Sequence, residues 1–367
     1  MQITIVGAGI IGYAVAYELA SRGAEVRLID PRGRGQGATR ASGGILAPHI
    51  EGHSPELLRL LVCSLDYYDN FISRVAADAK VPIEYRRSGT LQVARTDDEA
   101  RQLEDAARAL SQRGAAHAHM DGNDARRLEP LLTGSVRAGL LVHSQGYVGV
   151  ATLMAALEEA ARLRGARLDV SPVDRIESAD GVRVRSGNER IDSDAVVVAA
   201  GSWSGGIPMA PAVAVPVRPV RGQIVQLHFD TPPLTRVVWG SASGSAAYLV
   251  PWTDGNLLVG ATSEDVGFDD SVTAEGVARL RAAAEDLLPA SRAAQFVEAR
   301  AGLRPATSDE LPIVGRSSTM RGVYYATGHY RNGVLLAPLT ASLVADLVLD
   351  GRERAELALT RPDRFGL

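Results

Sequence analysis

Apolar and polar positions switch between two periods along the chain, and the switches mark its elements. Ile3, Ile5 and Val6 form a short β-rich run from Gln2, broken by Gly7-Ala8-Gly9. From Ile10 to Leu19 the spacing becomes helical, with small residues on one side. Gly23 ends that stretch, and Val26-Arg27-Leu28-Ile29-Asp30 predicts a second strand. Together these make a βαβ opening of about 30 residues. Leu57 to Ala77 predicts a long amphipathic helix, Ser88 to Ala94 a half-buried strand, and Asp97 to Arg113 another helix.

Further on, Val150 to Leu163 is helical. Ala195 to Ala199 is an unbroken apolar run stopping at Gly201, which suits a parallel strand covered on both faces. Val213 to Phe229 and Ala246 to Ala261 predict longer strands with turns, including Asp254-Gly255, in a separate antiparallel layer. Ala274 to Leu288 predicts a helix, Val323 to Ala326 a strand, and Val334 to Leu349 a closing helix. Nucleotide-type strands thus fall at the beginning, middle and end, with antiparallel material between. The chain is expected to cross between two domains more than once.

Composition narrows the function. The 367 residues carry 39 Lys+Arg against 43 Asp+Glu, a net charge of -4, which supplies no electrostatic attraction to nucleic acid or an anionic membrane. Cys63 is the only cysteine, so a disulfide framework, a cysteine-rich zinc site and a dithiol redox centre within the chain are excluded. No metal is expected. Lys80 is the only lysine, and Schiff-base chemistry would rest on it alone. No segment has the apolar length of a membrane span, and no basic stretch precedes the first apolar run; a cytoplasmic protein is expected.

The first chemical motif is Gly7-x-Gly9-x-x-Gly12, set between a strand and a helix. Gly7 permits the tight turn, Gly9 lets a pyrophosphate approach the backbone, and Gly12 lets helix and strand pack closely. The positive end of the helix then faces the phosphates. Asp30 ends the second strand, where a carboxylate reaches a ribose diol and repels a 2′-phosphate. The motif alone leaves NAD and FAD open. Three features favour FAD. No second GxGxxG follows a strand. Val196 to Gly201 ends a buried strand in small residues, where backbone can approach a large cofactor. Gly328-His329-Tyr330-Arg331-Asn332-Gly333 precedes a helix whose N-terminus could stabilise charge on a reduced flavin.

With Val6 to Gly12, these residues join others in a recognisable order: Gly37-Ala38-Thr39-Arg40-Ala41-Ser42-Gly43-Gly44 with Leu46-Ala47-Pro48, Ala199 to Trp203, Arg218-Pro219-Val220-Arg221-Gly222-Gln223, Gly302-Leu303-Arg304-Pro305, and Gly328 to Pro338. The chain resembles the D-amino-acid-oxidase-like flavoenzymes, most nearly the glycine oxidases of thiamine biosynthesis. The resemblance implies an α/β FAD-binding domain, Rossmann-like and of the glutathione-reductase type, from residues 1–82, 143–212 and 300–367. A discontinuous α+β substrate domain on an antiparallel sheet would take 83–142 and 213–299. It implies hydride transfer from the Cα of a small amino acid to flavin N5, hydrolysis of the imine, and reduction of O2 to peroxide. By the same likeness Arg304 pairs with the substrate carboxylate, Tyr248 contacts substrate, and Arg331 lies near the flavin face. The implied cofactor contacts are Gly7, Gly9, Ile10, Ile11, Gly12, Asp30, Pro31, Arg40, Ala41, Ser42, Gly43, Gly44, Leu46, Val173, Ala200, Gly201, Trp203, Gly302, Arg304, His329, Tyr330, Arg331, Asn332, Gly333, Val334 and Leu335. A homotetramer is implied as well.

His49, Ala246 and Ser263 are candidates for the substrate pocket. Ala246 and Ser263 are smaller than the residues the glycine oxidases can carry there, so a bulkier or N-carboxymethyl amine stands beside glycine, sarcosine and small D-amino acids. The sarcosine-oxidase relatives tie flavin to a cysteine near the C-terminus; this chain has none there, so FAD should be non-covalent. A same-fold dehydrogenase with another acceptor and a flavin-binding protein without turnover both remain open. Tyr248 also fits a core tyrosine, and Arg331 a brace for its own loop.

Overall fold

The computed structural model describes all residues except 51–52, 211–213 and 243–244, and the side chains of 242 and 245. Strand Gln2–Val6, helix Ile10–Ser21 and strand Glu25–Ile29 form the βαβ opening, with the two strands parallel. Ala195–Val198 pairs in parallel with the other side of the first strand, and Val323–Thr327 lies parallel beyond it. Ile313–Arg316 closes one edge antiparallel and Arg167–Asp169 closes the other in parallel, giving six strands. Distant parts of the chain therefore build one sheet.

Both faces of that sheet are covered, which explains the apolar run without alternation in Ala195–Val198. Ala195 and Val197 pack with helices Ile10–Ser21, Pro55–Ala79, Val150–Leu163 and Gly333–Leu349. Val196 and Val198 pack against Ile176, Val184 and Ile191 of a smaller four-stranded sheet. Helix Gly333–Leu349 is apolar nearly all round because it is buried nearly all round. Its Pro338 has no N–H for the carbonyl of Val334, and the Tyr68 hydroxyl donates to that oxygen instead.

The second layer is an eight-stranded sheet in the order Gln295–Ala306, Arg218–His228, Asn256–Gly260, Ser245–Pro251, Val237–Ala242, Thr90–Ala94, Ala138–Val142, His117–Asp121. It is antiparallel except between Val237–Ala242 and Thr90–Ala94. Four strands in this sheet have no counterpart in the sequence expectation: His117–Asp121, Ala138–Val142, Val237–Ala242 and Gln295–Ala306. The last of these spans the boundary expected at residue 300 and pairs from Gln295 to Ala306 with Arg218–His228, so the sheet continues to Ala306. The expected strand start at Val213, and the boundary beside it, lie outside the described residues; the strand observed is Arg218–His228. The stretch from Ala246 to Ala261 is a hairpin of Ser245–Pro251 and Asn256–Gly260. Among the described residues no helix is long and apolar enough to cross a membrane.

Candidate active site

A cavity of about 610 Å³ lies between the two sheets. At one end it is floored by the turn after the first strand. The backbone there leaves no room for side chains: a Cβ on Gly7 would sit 2.4 Å from the carbonyl oxygen of Ala199, and Gly7 has φ +114°. Gly7 and Gly9 line the cavity with Ile10 and Ile11. No side chain of Gly9 caps helix Ile10–Ser21; Thr39 Oγ1 takes only the Ile10 N–H, at 3.1 Å. The helix N-terminus is left as an anion site. Asp30 accepts the N–H groups of Ala8 at 2.9 Å and Arg32 at 2.8 Å, which fixes its carboxylate while lone pairs remain for a diol.

The far end is built by the other sheet and the C-terminal loop. Tyr248 lies across Gly43 and Gly260; a Cβ on Gly260 would come 2.2 Å from its Cζ. Its ring centroid is 5.1 Å from that of Trp239 on the neighbouring strand. Arg304 is half-buried, and its Nη1 donates to the carbonyls of Thr262 at 3.0 Å and Arg221 at 3.3 Å. The N–H of Tyr330 donates to Pro305 O at 2.9 Å, tying the loop Gly328–Gly333 to the end of the strand that carries Arg304. Asn332 provides no side-chain cap for helix Gly333–Leu349, so the first N–H groups of that helix are available at the cavity. His329 is buried; desolvation holds its pKa down at about 3, and its Nε2 lies 3.0 Å from Thr340 Oγ1. Arg331 lines the cavity 3.8 Å from Glu310, with its guanidinium over the Tyr330 ring.

The cavity brings together Asp30, Pro31, Ala41, Ser42, Gly43, Gly44, Val173, Ala200, Gly201, Trp203, Tyr248, Arg304 and His329 to Leu335 with the first turn. Other expected residues lie outside its lining. Gly12 is under the turn, where a Cβ would meet Gly7 O at 2.0 Å, and Gly302 lets its strand lie against Ala41. Leu46 is in the core, and Arg40 is exposed. His49 is half-buried, while Ser263 and Ala246 are exposed, Ala246 two residues before Tyr248 on the same strand. Lining residues outside the expected contacts include Thr39, Pro172, Trp239 and Arg32, whose guanidinium stacks 4.3 Å over Trp203. Val237-Val238-Trp239 is a β-branched and aromatic run that could have revealed its strand.

The glycine cradle, the two uncapped helix ends and the anchored Asp30 fit a dinucleotide of the size of FAD. The comparisons agree. The FAD dependent oxidoreductase family matches residues 2–347. A glycine oxidase of Geobacillus kaustophilus is 33% identical over 97% of this chain and 94% of its own, and that of Pseudomonas putida is 31% identical over 95% and 94%. The crystal structure of the Geobacillus kaustophilus enzyme superposes with a TM-score of 0.92, at 32% identity and 98% coverage of both chains. An iminodiacetate oxidase from Chelativorans superposes with a TM-score of 0.89, at 28% identity and 98% coverage of both. The chain belongs to the FAD-dependent oxidoreductase family, and FAD is its cofactor.

Proposed function

We propose that the chain oxidises a small amine bearing an α-carboxylate, such as glycine, sarcosine or a small D-amino acid, with O2 as final acceptor. The observation that carries this reading is Arg304: a half-buried cation on the cavity wall, held by two carbonyl oxygens and, among the described residues, by no carboxylate. A planar guanidinium so held can receive a substrate carboxylate bidentately. Bound FAD supplies a two-electron acceptor for hydride from the substrate carbon. Gly7, Gly9 and the first helix end hold its pyrophosphate, and Asp30 its ribose. The open end of helix Gly333–Leu349 favours negative charge at the cavity. His329, neutral through burial, is no base near pH 7. The amine's own lone pair drives hydride departure, so the residues are needed mainly for orientation, with Tyr248 and Trp239 walling the substrate end. The six-stranded sheet would then carry cofactor and the eight-stranded sheet substrate.

A second reading takes an N-carboxymethyl amine, whose second carboxylate would meet Arg331 on the same cavity; the likeness to an iminodiacetate oxidase supports it. Anaerobic titration of the flavin band with glycine, sarcosine, D-alanine, D-proline and iminodiacetate decides. Bleaching by one of them, with recovery and peroxide on admitting air, is the expected result. Bleaching without recovery in air would replace the oxidase by a dehydrogenase, and no bleaching by any would reject the substrate class.

A further inference from the structure

The run Arg218-Pro219-Val220-Arg221-Gly222-Gln223 contributes no side chain to the cavity. It lies under Arg304. A Cβ on Gly222 would come 2.3 Å from Arg304 Cζ, so the missing side chain is what lets the guanidinium lie over the strand. Arg221 offers its carbonyl to that guanidinium, and Thr262 offers the other.

Both carbonyls are fixed by bonds that converge on one carboxylate. The Arg221 side chain is 5% exposed and donates to Glu264 Oε2 from Nε at 3.1 Å and Nη2 at 2.5 Å. Its Nη1 donates to Asp269 at 2.6 Å. Arg221 and Glu264 also exchange two backbone hydrogen bonds of 2.9 Å. Gln223, fully buried, donates to Glu264 Oε1 at 2.8 Å. The backbone of Gln223 holds Thr262, donating to its Oγ1 at 2.9 Å and accepting its N–H at 3.1 Å. Glu264 therefore joins the residue behind each carbonyl. It also neutralises Arg221, so that Arg221 does not compete with Arg304 for an anionic ligand. Removing one partner of a buried pair leaves the other uncompensated, so this network should not tolerate loss of the carboxylate.

We infer that Glu264 is a positioning residue for Arg304, acting through Arg221, Gln223 and Thr262 without touching the cavity. The inference rests on Arg304 being the carboxylate site. Its test uses the FAD-loaded protein and acetate, a carboxylate without an amine, read as a perturbation of the flavin absorption band. Glu264→Gln should weaken acetate about tenfold or more and raise KM in step for whichever amine bleaches the flavin, with kcat changed less than about threefold and FAD affinity, read by flavin fluorescence, within about twofold. Asp269→Asn alters a half-exposed member of the same network, and should shift acetate by about threefold in the same direction even where Glu264→Gln does not fold. Acetate affinity unchanged in these variants but lost in Arg304→Ala overturns the inference alone. Unchanged acetate affinity in Arg304→Ala overturns the carboxylate site and the inference with it. Parallel loss of acetate and FAD in Glu264→Gln makes Glu264 a general structural residue and also overturns it.

Discussion

At the scale of single residues the site separates binding from titration. Arg304 stands on the eight-stranded sheet, away from the glycine turn at the other end of the cavity. Arg304→Ala should therefore cost roughly 2–5 kcal/mol in affinity for an amino-acid substrate if the pair is desolvated, with FAD retained. Arg304→Lys should restore only part, because an ammonium lacks the planar fork. Steady-state KM and flavin content together check both. His329 acts on stability instead. Its pKa is about 3 when buried and 6.5 when free, so below pH 6.5 the unfolded chain binds a proton that the native state does not. Stability is fully present above pH 6.5 and falls as pH drops toward 3. In urea titrations between pH 6.5 and 4.5, ahead of most carboxylate titration, His329→Gln should show a shallower decline, by up to about one proton.

At the scale of elements, what could be read in the sequence depended on how local its cause is. The opening βαβ unit was legible because its causes lie within 30 residues: an apolar run, glycines at fixed spacing and an acid at the strand end. Strand Gln295–Ala306 was not legible, because its alanines, arginines and glycine have little strand preference and its pairing with Arg218–His228 is a tertiary effect. Arg304 was therefore found through the likeness of its motif, while the carbonyls that hold it were invisible. Trp239 was missed with its strand, and Arg40 was placed by likeness in a segment whose side chains diverge, Thr39 inward and Arg40 to solvent. The C-terminal helix shows a third case. Pro338 reads as a helix breaker, yet the helix runs through it because Tyr68, on Pro55–Ala79, satisfies the freed carbonyl. Tyr68→Phe would leave that buried oxygen unpaired and should destabilise the fold by about 1–3 kcal/mol, measurable as a lower urea midpoint with unchanged m.

At the scale of the molecule, the cavity walls come from both sheets, and each sheet is assembled from separated stretches of chain. A ligand that fills it binds only when both layers are folded and apposed. FAD should therefore stabilise the whole chain by mass action, by about 2.7 kcal/mol at a free concentration one hundred times Kd. Hydrogen exchange locates the effect. With FAD, amides should slow together in Ala195–Val198 of the parallel sheet and in Gln295–Ala306 and Ser245–Pro251 of the other, although the glycine turn belongs to the first layer. The link between layers is physical: Gly302 packs against Ala38 and Ala41 beside the cofactor-lining loop, and the Tyr330 N–H bonds the carbonyl that follows Arg304. Slowing confined to the parallel sheet would mean that the eight-stranded sheet opens independently of the cofactor. In that case Arg304 would have to be brought to the substrate by a separate closure. Slowing in both layers would mean that loading the cofactor already sets the carboxylate site in place.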